Sequence, residues 1–414
     1  MPLLRNWRKK PVTKNSEKRV PALRFKGFTN DWEQCKLGEV TQRVQGNDNN
    51  MNRPVLTISA KTGWMTQSNR FSSIIAGSEK KKYTLLKKGE LSYNHGNSKI
   101  APFGTVFMLN NYSEALVPKV YHSFKANYYM NPYFLELYFH TKKLDPQLRK
   151  FISSSARMDG LLNITYKWFE KIFIFSPQLS EQNKLEKIFL LINKYISLQQ
   201  RKLELLSLIK KTIIKHLFKL KNSDSLNLKF KTSCSQWNSK KLGEIAKFIN
   251  GRAFKQSELL NKGKYPVLRV GNFYTNDKWF YSDLNLNKNK YADKGDLLYT
   301  WSATFGPHIW KGSKVIFHYH IWKIDFDPST VNKTFLFYFL EADKENLLTN
   351  SNGSTMIHIT KSNMENKIIN LPQFSIQQNI GTFLSNLDYL INQVKIKSKQ
   401  LIQLKRFLLQ NMFI

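Results

Sequence analysis

The chain has 414 residues, of which 41% are hydrophobic, enough for two globular domains that each bury a core. Its 65 Lys and Arg outnumber 29 Asp and Glu, and this formal net charge of +36 favours a polyanionic partner, with nucleic acid ahead of an anionic membrane. No apolar run approaches the roughly 20 residues that a membrane-spanning helix needs, and the basic start of the chain lacks the apolar core of a signal peptide.

The chain begins with a basic leader and a segment leading into the first globule, together residues 1–31. An α+β globule is predicted over residues 32–177, because short β-like runs such as Val55–Ile58 and Thr105–Leu109 alternate with clusters of Asn, Gly and Ser. Its one clear internal helix is predicted at Tyr133–Phe139.

The sequence is duplicated, since the same landmarks occur in the same order in both halves. From Ile164 against Ile359 onward the offset is 195, and it holds without a gap to Phe218 against Phe413. A period this long indicates a tandem domain duplication and not a solenoid. The other paired landmarks are Trp32 and Leu37-Gly38-Glu39 with Trp237 and Leu242-Gly243-Glu244, Lys88-Gly89-Glu90-Leu91 with Lys294-Gly295-Asp296-Leu297, Phe103-Gly104 with Phe305-Gly306, and Asn131 with Asn332.

Two long helices are predicted over residues 178–222 and 373–414, separated by a linker at 223–236 and a second α+β globule at 237–372. The first long stretch lacks Pro and Gly, and the second has only Gly381, which could loosen its first turn. Apolar residues at helical spacing over about five heptads predict that the helices pack as an antiparallel coiled coil with pseudo-two-fold symmetry. The alternative is that each helix only covers its own globule. The apolar positions are Leu185, Phe189, Ile192, Ile196, Leu203, Leu206, Ile213 and Leu217, then Ile380, Leu384, Leu387, Ile391, Val394, Leu401, Leu408 and Met412.

Motifs that would indicate an enzyme are missing. The chain has no Gly-x-Gly, no phosphate-binding Gly-Lys-Ser/Thr and no Pro-Asp followed by Glu-x-Lys, so we predict no catalytic residue. The sequence Asn131-Pro132-Tyr133-Phe134 lacks the second proline of the adenine-methyltransferase motif and is interpreted as a helix start. His318 and His320 would share one face of a strand, but no Cys or carboxylate pair is nearby, so no metal site is predicted. Cys35 and Cys234 are expected to be reduced and inert.

Two small polar loops are predicted to face DNA, Tyr93–Lys99 and Tyr299–Thr304, each leaving a β-run after the Lys-Gly-Glu/Asp-Leu landmark. Asn, Ser, Thr and Lys can reach base edges or phosphates, and Arg is favoured at guanine. The alternative is a pair of solvated turns. The candidate contact residues are Asn94, His95, Asn97, Ser98 and Lys99 with Arg43, Arg53, Lys61 and Arg70 in the first half, and Thr300, Trp301, Ser302 and Thr304 with Arg252, Lys255, Arg269 and Asn272 in the second.

This order of variable globule and fixed helix, repeated twice, resembles the specificity (S) subunit of Type I restriction-modification enzymes. The resemblance extends from Val20 to Phe413. It includes the Trp-x4-Leu-Gly-Glu openings and the similar helix starts at Pro177-Gln178 and Pro372-Gln373. The second helix has Ile376 where the first has Glu181.

The resemblance implies that the two globules are target-recognition domains, each for one half of an asymmetric, interrupted sequence in double-stranded DNA, and that the long helices set the gap. It also implies two methyltransferase (M) subunits as partners, with two restriction (R) subunits where these exist. S-adenosylmethionine, ATP and Mg²⁺ would belong to those partners, so no cofactor is expected in this chain. A cytoplasmic, DNA-associated location is expected. The alternatives are an architectural DNA-binding coiled coil without sequence preference and, less favoured, a self-contained methyltransferase or nuclease.

Overall fold

The computed structural model describes residues 19–71, 77–152, 161–218, 237–274, 276–302, 304–350 and 359–414. Its architecture is α+β, as the sequence predicts, with β-rich domains and two long helices. The chain forms two compact units. Unit 1 comprises residues up to Leu198 together with Ser398–Ile414, and unit 2 comprises Gln199–Lys397. Cys234 and the predicted linker 223–236 lie outside the described residues.

Unit 1 is built from short strands and mostly short helices. The strands are β1 (Glu33–Lys36), β2 (Thr41–Val44), β3 (Leu56–Ser59), β4 (Gly63–Thr66), β5 (Thr84–Lys87), β6 (Leu91–Asn94), β7 (Thr105–Met108), β8 (Glu114–Val117), β9 (His122–Ala126) and β10 (Phe173–Ser176). The helices are α1 (Leu37–Val40), α2 (Gln67–Phe71), α3 (Pro132–His140), α4 (Asp145–Phe151), α5 (Tyr166–Phe169) and the first part of α6 (Leu179–Leu217), with a 3-10 helix at Gly77–Lys82.

Unit 2 repeats this plan. Its strands are β11 (Asn238–Lys241), β12 (Ala246–Asn250), β13 (Tyr265–Leu268), β14 (Phe280–Ser282), β15 (Tyr291–Ala292), β16 (Leu297–Thr300), β17 (Gly306–Ile309), β18 (Val315–Phe317), β19 (Ile321–Phe326) and β20 (Ile368–Leu371). Its helices are α7 (Leu242–Ile245), α8 (Lys333–Asn350), α9 (Lys361–Glu365) and most of α10 (Phe374–Asn411), with 3-10 helices at Gln256–Glu258, Val270–Phe273 and Lys288–Lys290.

The central sheet and a two-stranded ribbon have the same strand order in both units. The central antiparallel sheet is β2-β9-β6-β7 in unit 1 and β12-β19-β16-β17 in unit 2. A two-stranded ribbon, β1-β10 or β11-β20, leads from the opening landmark to the long helix. The Lys-Gly-Glu/Asp landmark is the turn before β6 and β16, where Gly89 (φ +89°) and Gly295 (φ +96°) adopt left-handed backbone that a side chain disfavours. The repeated landmarks therefore mark repeated turns.

The core of unit 1 forms where α3 packs under the central sheet. Phe134 is fully buried, and its ring lies 5.8 Å from that of Trp32 and 5.4 Å from that of Phe413. Phe189, from the first part of α6, belongs to the same core, with ring centroids 6.1 Å from Phe413. The start of α6 and the end of α10 thus pack together over the globule of unit 1.

The core of unit 2 is closed by the opposite helix ends. Phe218, just after α6, lies 5.3 Å from Phe335 of α8 between ring centroids, and Leu384 of α10 is buried in the same cluster. Lys210 of α6 also forms an ion pair with Asp388 of α10 at 2.7 Å. The end of α6 therefore meets the beginning of α10, so the helices pair in antiparallel order. All of the predicted apolar stripe positions are buried or half-buried.

The segment before β1 is tied to the long helices of unit 1. Arg24 forms a bidentate ion pair with the buried Glu181 near the start of α6, with both N–O distances at 2.8 Å. The backbone N–H of Leu23 donates to the carbonyl of Asn411 at the end of α10, also at 2.8 Å. This segment is part of the packed unit.

Gly381 lies inside an unbroken α10 and does not loosen its start. A side chain at this position would come within 3.0 Å of Asn332 Oδ1 and 3.2 Å of the backbone nitrogen of Phe335. The glycine therefore allows α10 to lie close to the first turn of α8.

Candidate nucleic-acid interface

The first predicted loop connects β6 to β7, and its tip is exposed. Asn97, Ser98, Lys99 and Ile100 are all exposed, and Ser98 Oγ accepts the backbone N–H of Ala101 at 3.1 Å. This local bond gives the tip a defined shape while the side chains of Asn97 and Lys99 face solvent. The tip is thus accessible to a base edge or a phosphate.

A glycine lets this loop return closely to its own strand. Gly104 has φ +80°, and a Cβ there would lie 2.6 Å from both the carbonyl oxygen of Asn94 and the ring of Tyr93. The hydroxyl of Tyr93 donates to the carbonyl of Phe103 at 2.6 Å. The glycine of the Phe-Gly landmark is therefore required where the loop returns to β7.

His95 lies at the buried root of the loop, 7% exposed. Its Nδ1 is 2.6 Å from the carbonyl oxygen of Leu162, and its Nε2 is 2.7 Å from that of Val120. A ring with both nitrogens engaged by backbone carbonyls has none left for DNA. The prediction that His95 contacts DNA directly therefore needs correction, since the loop turns its ring inward.

Asn94 and Arg70 meet at one backbone carbonyl. Asn94 Nδ2 donates to the carbonyl of Ile58 at 3.0 Å, and Arg70 Nη1 donates to the same oxygen at 2.6 Å. Asn94 Oδ1 also accepts the N–H of Gly96. The two candidates thus connect the loop to the β3-β4 hairpin, whose turn carries the exposed candidate Lys61.

The remaining first-half candidates differ in how freely their side chains can move. Arg43 is exposed and lies over the ring of Tyr166, with Cζ 4.4 Å from the ring centroid. Arg53 is paired with Asp48 and with Glu114, and its side chain is only 12% exposed. Its hydrogen bond to Arg53 holds the pKa of Asp48 below its usual value. A guanidinium committed to two carboxylates is a structural group, so Arg53 is a weaker contact candidate than Arg43.

In unit 2 the loop after β16 carries Trp301, Ser302 and Thr304, of which Thr304 is exposed. Trp301 is half-buried, and its Nε1 donates to the carbonyl of Tyr319 at 2.9 Å. Thr300 is fully buried, and its hydroxyl donates to the carbonyl of Gly306 at 3.3 Å. The prediction that Thr300 contacts DNA is therefore corrected as well, because β16 turns its side chain into the core.

Some of the other unit 2 candidates have side chains that bond within the protein, and others have side chains that make no such bond among the described residues. Arg252 is paired with Glu258 at 2.7 Å and lies over Phe254. Asn272 is used within its own loop, where Oδ1 accepts the N–H of Arg269 and Nδ2 donates to the carbonyls of Asn276 and Lys278. Lys255 is exposed, and Arg269 is half-buried over the ring of Phe280.

Histidines 318 and 320 do not lie on a strand. β18 ends at Phe317, and Tyr319 and His320 form the turn before β19. Within the described ranges, no group of three or more His, Cys, Asp or Glu side chains could hold a metal ion.

Cys35 is half-buried, and burial raises the pKa of its thiol to about 12, which disfavours the reactive thiolate.

Exposed aromatic side chains beside the unit 2 loop were not among the predicted residues. Tyr319 is 38% exposed and Tyr274 is 44% exposed. The ring of Tyr274 lies 5.7 Å from that of His308, which in turn stacks on Phe273 at 4.0 Å. No signal in the sequence marks Tyr319, because His318 and His320 on either side of it were predicted to lie on a strand. None marks Tyr274 in advance, because its neighbours are distant in sequence.

Comparisons with known proteins agree with this architecture. Residues 234–405 match the family model described as the Type I restriction modification DNA specificity domain. The chain is 24% identical over 173 residues to the Type I restriction enzyme EcoBI specificity subunit of Escherichia coli, a match covering 41% of this chain and 36% of that protein. It is 26% identical over 180 residues to the MjaVIII specificity subunit of Methanocaldococcus jannaschii, covering 43% and 42%. The matched part thus spans less than half of these curated relatives.

Solved structures share the fold over nearly the whole chain. One is the Type I restriction-modification S subunit from M. genitalium, with a TM-score of 0.58, 14% identity and coverage of 95% of this chain and 99% of that one. Another is a chain from a structure that concerns complex assembly and conformational transition of the type I R-M system. It has a TM-score of 0.55 and 16% identity, and the match covers 92% of this chain and 97% of that one.

Residues 234–405 are therefore similar to the DNA specificity domain of Type I restriction-modification systems, and the whole chain shares the fold of a solved S subunit. Among the described residues, no helix combines the length and the apolar character needed to cross a bilayer.

Proposed function

We propose that this chain is the non-catalytic subunit that gives a Type I methyltransferase or restriction complex its DNA sequence specificity. Each unit recognises one half of a bipartite, asymmetric site. The observation that carries the proposal is that two units of one plan present different side chains at the same loop. The loop between β6 and β7 carries Asn97, Ser98 and Lys99 in unit 1, whereas the loop between β16 and β17 carries Trp301, Ser302 and Thr304 in unit 2.

The charge of the chain supports a DNA partner. Its net charge of +36 supplies the phosphate neutralisation that all DNA binding requires, independent of sequence. Sequence is discriminated by side chains at base edges, and the exposed candidates Asn97, Lys99, Thr304 and Lys255 belong to types that make such contacts. Because the two loops differ, the two half-sites should differ and the whole site should not be palindromic.

The long helices are proposed as the spacer between half-sites and as the docking surface for two M subunits. α6 has 39 residues and α10 has 38, so each is nearly 60 Å long at about 1.5 Å per residue. Repeated helices present two similar surfaces, which suits two copies of one partner. The proposed recognition domains are residues 32–177 and 237–372, with spacer helices at 178–222 and 373–414.

The chemistry is assigned to the partners. S-adenosylmethionine would be bound by the M subunits, and ATP and Mg²⁺ by R subunits where these are present. Specificity subunits are components of DNA-modifying complexes, so the proposed location is the DNA-associated part of the bacterial cytoplasm.

The first experiment is a single-molecule map of methylated adenines in the native host, with and without the gene. Loss of an asymmetric two-part motif with a fixed gap supports the proposal and identifies the recognised bases. Exchange of residues 237–372 for another recognition domain should then change only one half of the motif. If both halves change, two independent recognition units are ruled out.

Two outcomes would favour other functions. Purified chain that binds DNA with a steep salt dependence, and with equal affinity for a scrambled sequence, would indicate an architectural DNA-binding protein. Purified chain that methylates or cuts DNA alone would indicate a self-contained enzyme.

A further inference from the structure

An open groove with a basic lining lies beside the candidate loop of unit 1, and its volume is about 610 Å³. Three of the lining residues are cationic and one carries a carboxylate, so positive charge predominates. The lining consists of Phe103, Lys142, Asp145, Pro146, Arg149 and Lys150. By its charge, the groove suits an anion.

The groove shares the candidate loop with the exposed tip Asn97–Ile100. Phe103, which lines the groove, belongs to the part of this loop that returns to β7. Helix α3 ends at His140, whose ring lies 4.7 Å from that of Phe107 in β7, and Lys142 follows in the turn before α4. The tip and the cations of the groove therefore lie at the same end of the central sheet.

Lys142 is half-buried in the groove without a partner. Its left-handed backbone, with φ +67°, is uncommon for a residue with a side chain and separates α3 from α4. The next residue, Lys143, donates through Nζ to the carbonyl of Phe413 at 2.7 Å, but no hydrogen bond or ion pair from a described residue reaches the ammonium of Lys142. Burial lowers the pKa of Lys142, and the carboxylate of Asp145 opposes this only in part. An anion in the groove would supply the missing partner.

The cations match a phosphate better than a base. Lys and Arg side chains donate hydrogen bonds but cannot accept them. A phosphodiester presents acceptor oxygens, whereas the edge of a base pair presents both donors and acceptors. Arg149 and Lys150 are exposed near the end of α4, so they are accessible to the backbone of a long polyanion. The carboxylate of Asp145 opposes an anion, but three cations outnumber it.

The corresponding position of unit 2 is acidic. Asp343 follows Asn332 at the same distance as Lys142 follows Asn131. It lies inside the continuous helix α8, where unit 1 has the turn between α3 and α4. Its carboxylate is buried and accepts a hydrogen bond from Lys367 Nζ at 2.6 Å. An anion that binds beside Lys142 is therefore not expected at the equivalent point of unit 2.

We propose that this groove binds a backbone phosphate of the DNA strand that passes the tip Asn97–Ile100, with Lys142 as the central cation and Arg149 and Lys150 beside it. The inference rests on the proposed function, since it takes the tip to face DNA. A phosphate contact fixes the position of unit 1 on its half-site and carries no base preference. The groove should therefore add affinity for every sequence and leave discrimination to the tip.

The first test compares Lys142→Met with wild type, each as the full-length chain assembled with its M subunits. Methionine keeps an unbranched side chain and removes the charge. Affinity should fall about tenfold on the mapped motif, and equally on a duplex with the first half-site scrambled, because one charged hydrogen bond is lost. The slope of log affinity against log salt should become shallower by about one. Thermal unfolding of the variant checks that unit 1 remains folded.

Two further variants accompany this one. Arg149→Gln, at an exposed position of the groove, should give a loss of the same kind on both duplexes, and it decides the question if Lys142→Met unfolds. Lys125→Met is the matched control. Lys125 is exposed on β9, and because the start of that strand pairs with the loop end of β6, it lies toward the other end of the sheet. Its substitution should change neither the affinity nor the salt slope.

Neutral linkages in the DNA locate the phosphate. A methylphosphonate, which lacks the charged oxygen, is placed at one linkage of the first half-site at a time, and the exchange of residues 237–372 identifies which half-site belongs to unit 1. At one linkage the methylphosphonate should weaken binding of wild type about tenfold and leave Lys142→Met unchanged, because both changes remove the same contact. In Lys125→Met this linkage should matter as much as in wild type.

Three results would overturn the proposal. The first is additive losses for Lys142→Met and the methylphosphonate at every linkage. The second is an unchanged salt slope in Lys142→Met, or a loss confined to the mapped motif, which indicates a base contact. The third is thermal stabilisation of wild type, but not of Lys142→Met, by inorganic phosphate while the DNA affinity of the variant is unchanged, which assigns the groove to a free anion.

Failure of the proposed function is distinguishable from these results. If the wild-type complex binds the mapped motif and a fully scrambled duplex equally, the proposed function fails. The salt slope of Lys142→Met on either duplex still decides whether the groove binds a DNA phosphate.

Discussion

Gln377 accepts the backbone N–H of Asn332 at 2.9 Å, and this bond joins the start of α10 to the start of α8. Its Nε2 donates to the carbonyl of Pro372 at 3.0 Å. Gln182 makes the same two bonds in unit 1, to Asn131 at 2.8 Å and Pro177 at 2.9 Å. Both glutamines are almost fully buried, so each long helix is fixed to its globule by one repeated side chain.

We expect Gln182→Ala to lower the free energy of unfolding by about 3 kcal/mol, because it leaves a buried backbone N–H without its acceptor. The exposed Gln200→Ala, on the same helix, is the control and should change stability by less than about 0.5 kcal/mol. Urea denaturation followed by circular dichroism measures both. Equal midpoints for the two variants would mean that this side chain does not hold the joint.

Gly104→Ala should be far more damaging than Gly89→Ala. Both residues have positive φ, so both substitutions incur the left-handed penalty of about 1–2 kcal/mol. A Cβ at Gly104 would also lie 2.6 Å from a backbone oxygen, whereas one at Gly89 meets nothing within 4 Å. We expect first-half-site binding to be lost in Gly104→Ala and retained in Gly89→Ala. Similar behaviour of the two would show that close approach is not what requires the glycine.

Glu136 should make the protein less stable as the pH rises from about 4.5 to 7. Burial raises the pKa of Glu136 to about 7, while in the unfolded chain it ionises near 4.5. Between these values the native state holds a proton that the unfolded state has lost, so stability falls with rising pH, by about 3 kcal/mol at most.

Glu136→Gln keeps an acceptor for the N–H of Met108, which Glu136 Oε2 accepts at 2.7 Å. It should therefore be more stable than wild type at pH 8 and equal to it at pH 4.5. Denaturant midpoints at the two pH values test this. A variant less stable at pH 8 would show that the carboxylate is favourable where it lies.

Fully or partly buried histidines should destabilise the fold in acid. Burial lowers the pKa of His140 to about 3, and those of His122, His308 and His318 to about 4. The unfolded chain takes up these protons near pH 6.5, so stability is lost as the pH falls from 6.5 towards 4.

His140→Leu should reduce this acid sensitivity, while His216→Leu at an exposed position of α6 should not. Unfolding midpoints at pH 7.5 and pH 5 for both variants provide the measurement. An unchanged difference between the two pH values in His140→Leu would exclude His140 as a source.

Deleting one heptad from both α6 and α10 should shorten the gap in the methylated motif or abolish assembly, if the long helices set the spacing. Seven residues are about 10 Å of helix, or about three base pairs. Methylation mapping of a strain that carries the shortened gene measures the new gap. An unchanged gap would remove the helices from that role.

The long helices could be predicted from sequence because their contacts repeat at helical spacing. Leu185, Phe189 and Ile192, taken from that pattern alone, are buried in the core of unit 1. The fate of His95 could not be predicted, since its acceptors, Val120 and Leu162, lie 25 and 67 residues away. Thr300 was predicted to contact DNA but is fully buried. The alternation of side chains along a strand does not reveal which face of the strand is buried.

Turns were the other source of error. His318 and His320 alternate as strand residues do, but β18 ends at Phe317 because the chain turns there to start β19. The duplicated landmark does correspond to a repeated structure, since Tyr93 and Tyr299, which follow it, occupy equivalent positions in the two central sheets. A weak local pattern repeated twice was more informative than a strong one found once.

The order of elements along the chain differs from the order in which the cores are assembled. Unit 1 takes the start of α6 and the end of α10, and unit 2 takes the end of α6 and the start of α10. The last turns of the long helix in each half of the chain therefore pack in the core of the other unit. A half-length chain with one globule and one long helix would complete such a core only by exchanging helix ends with a second copy.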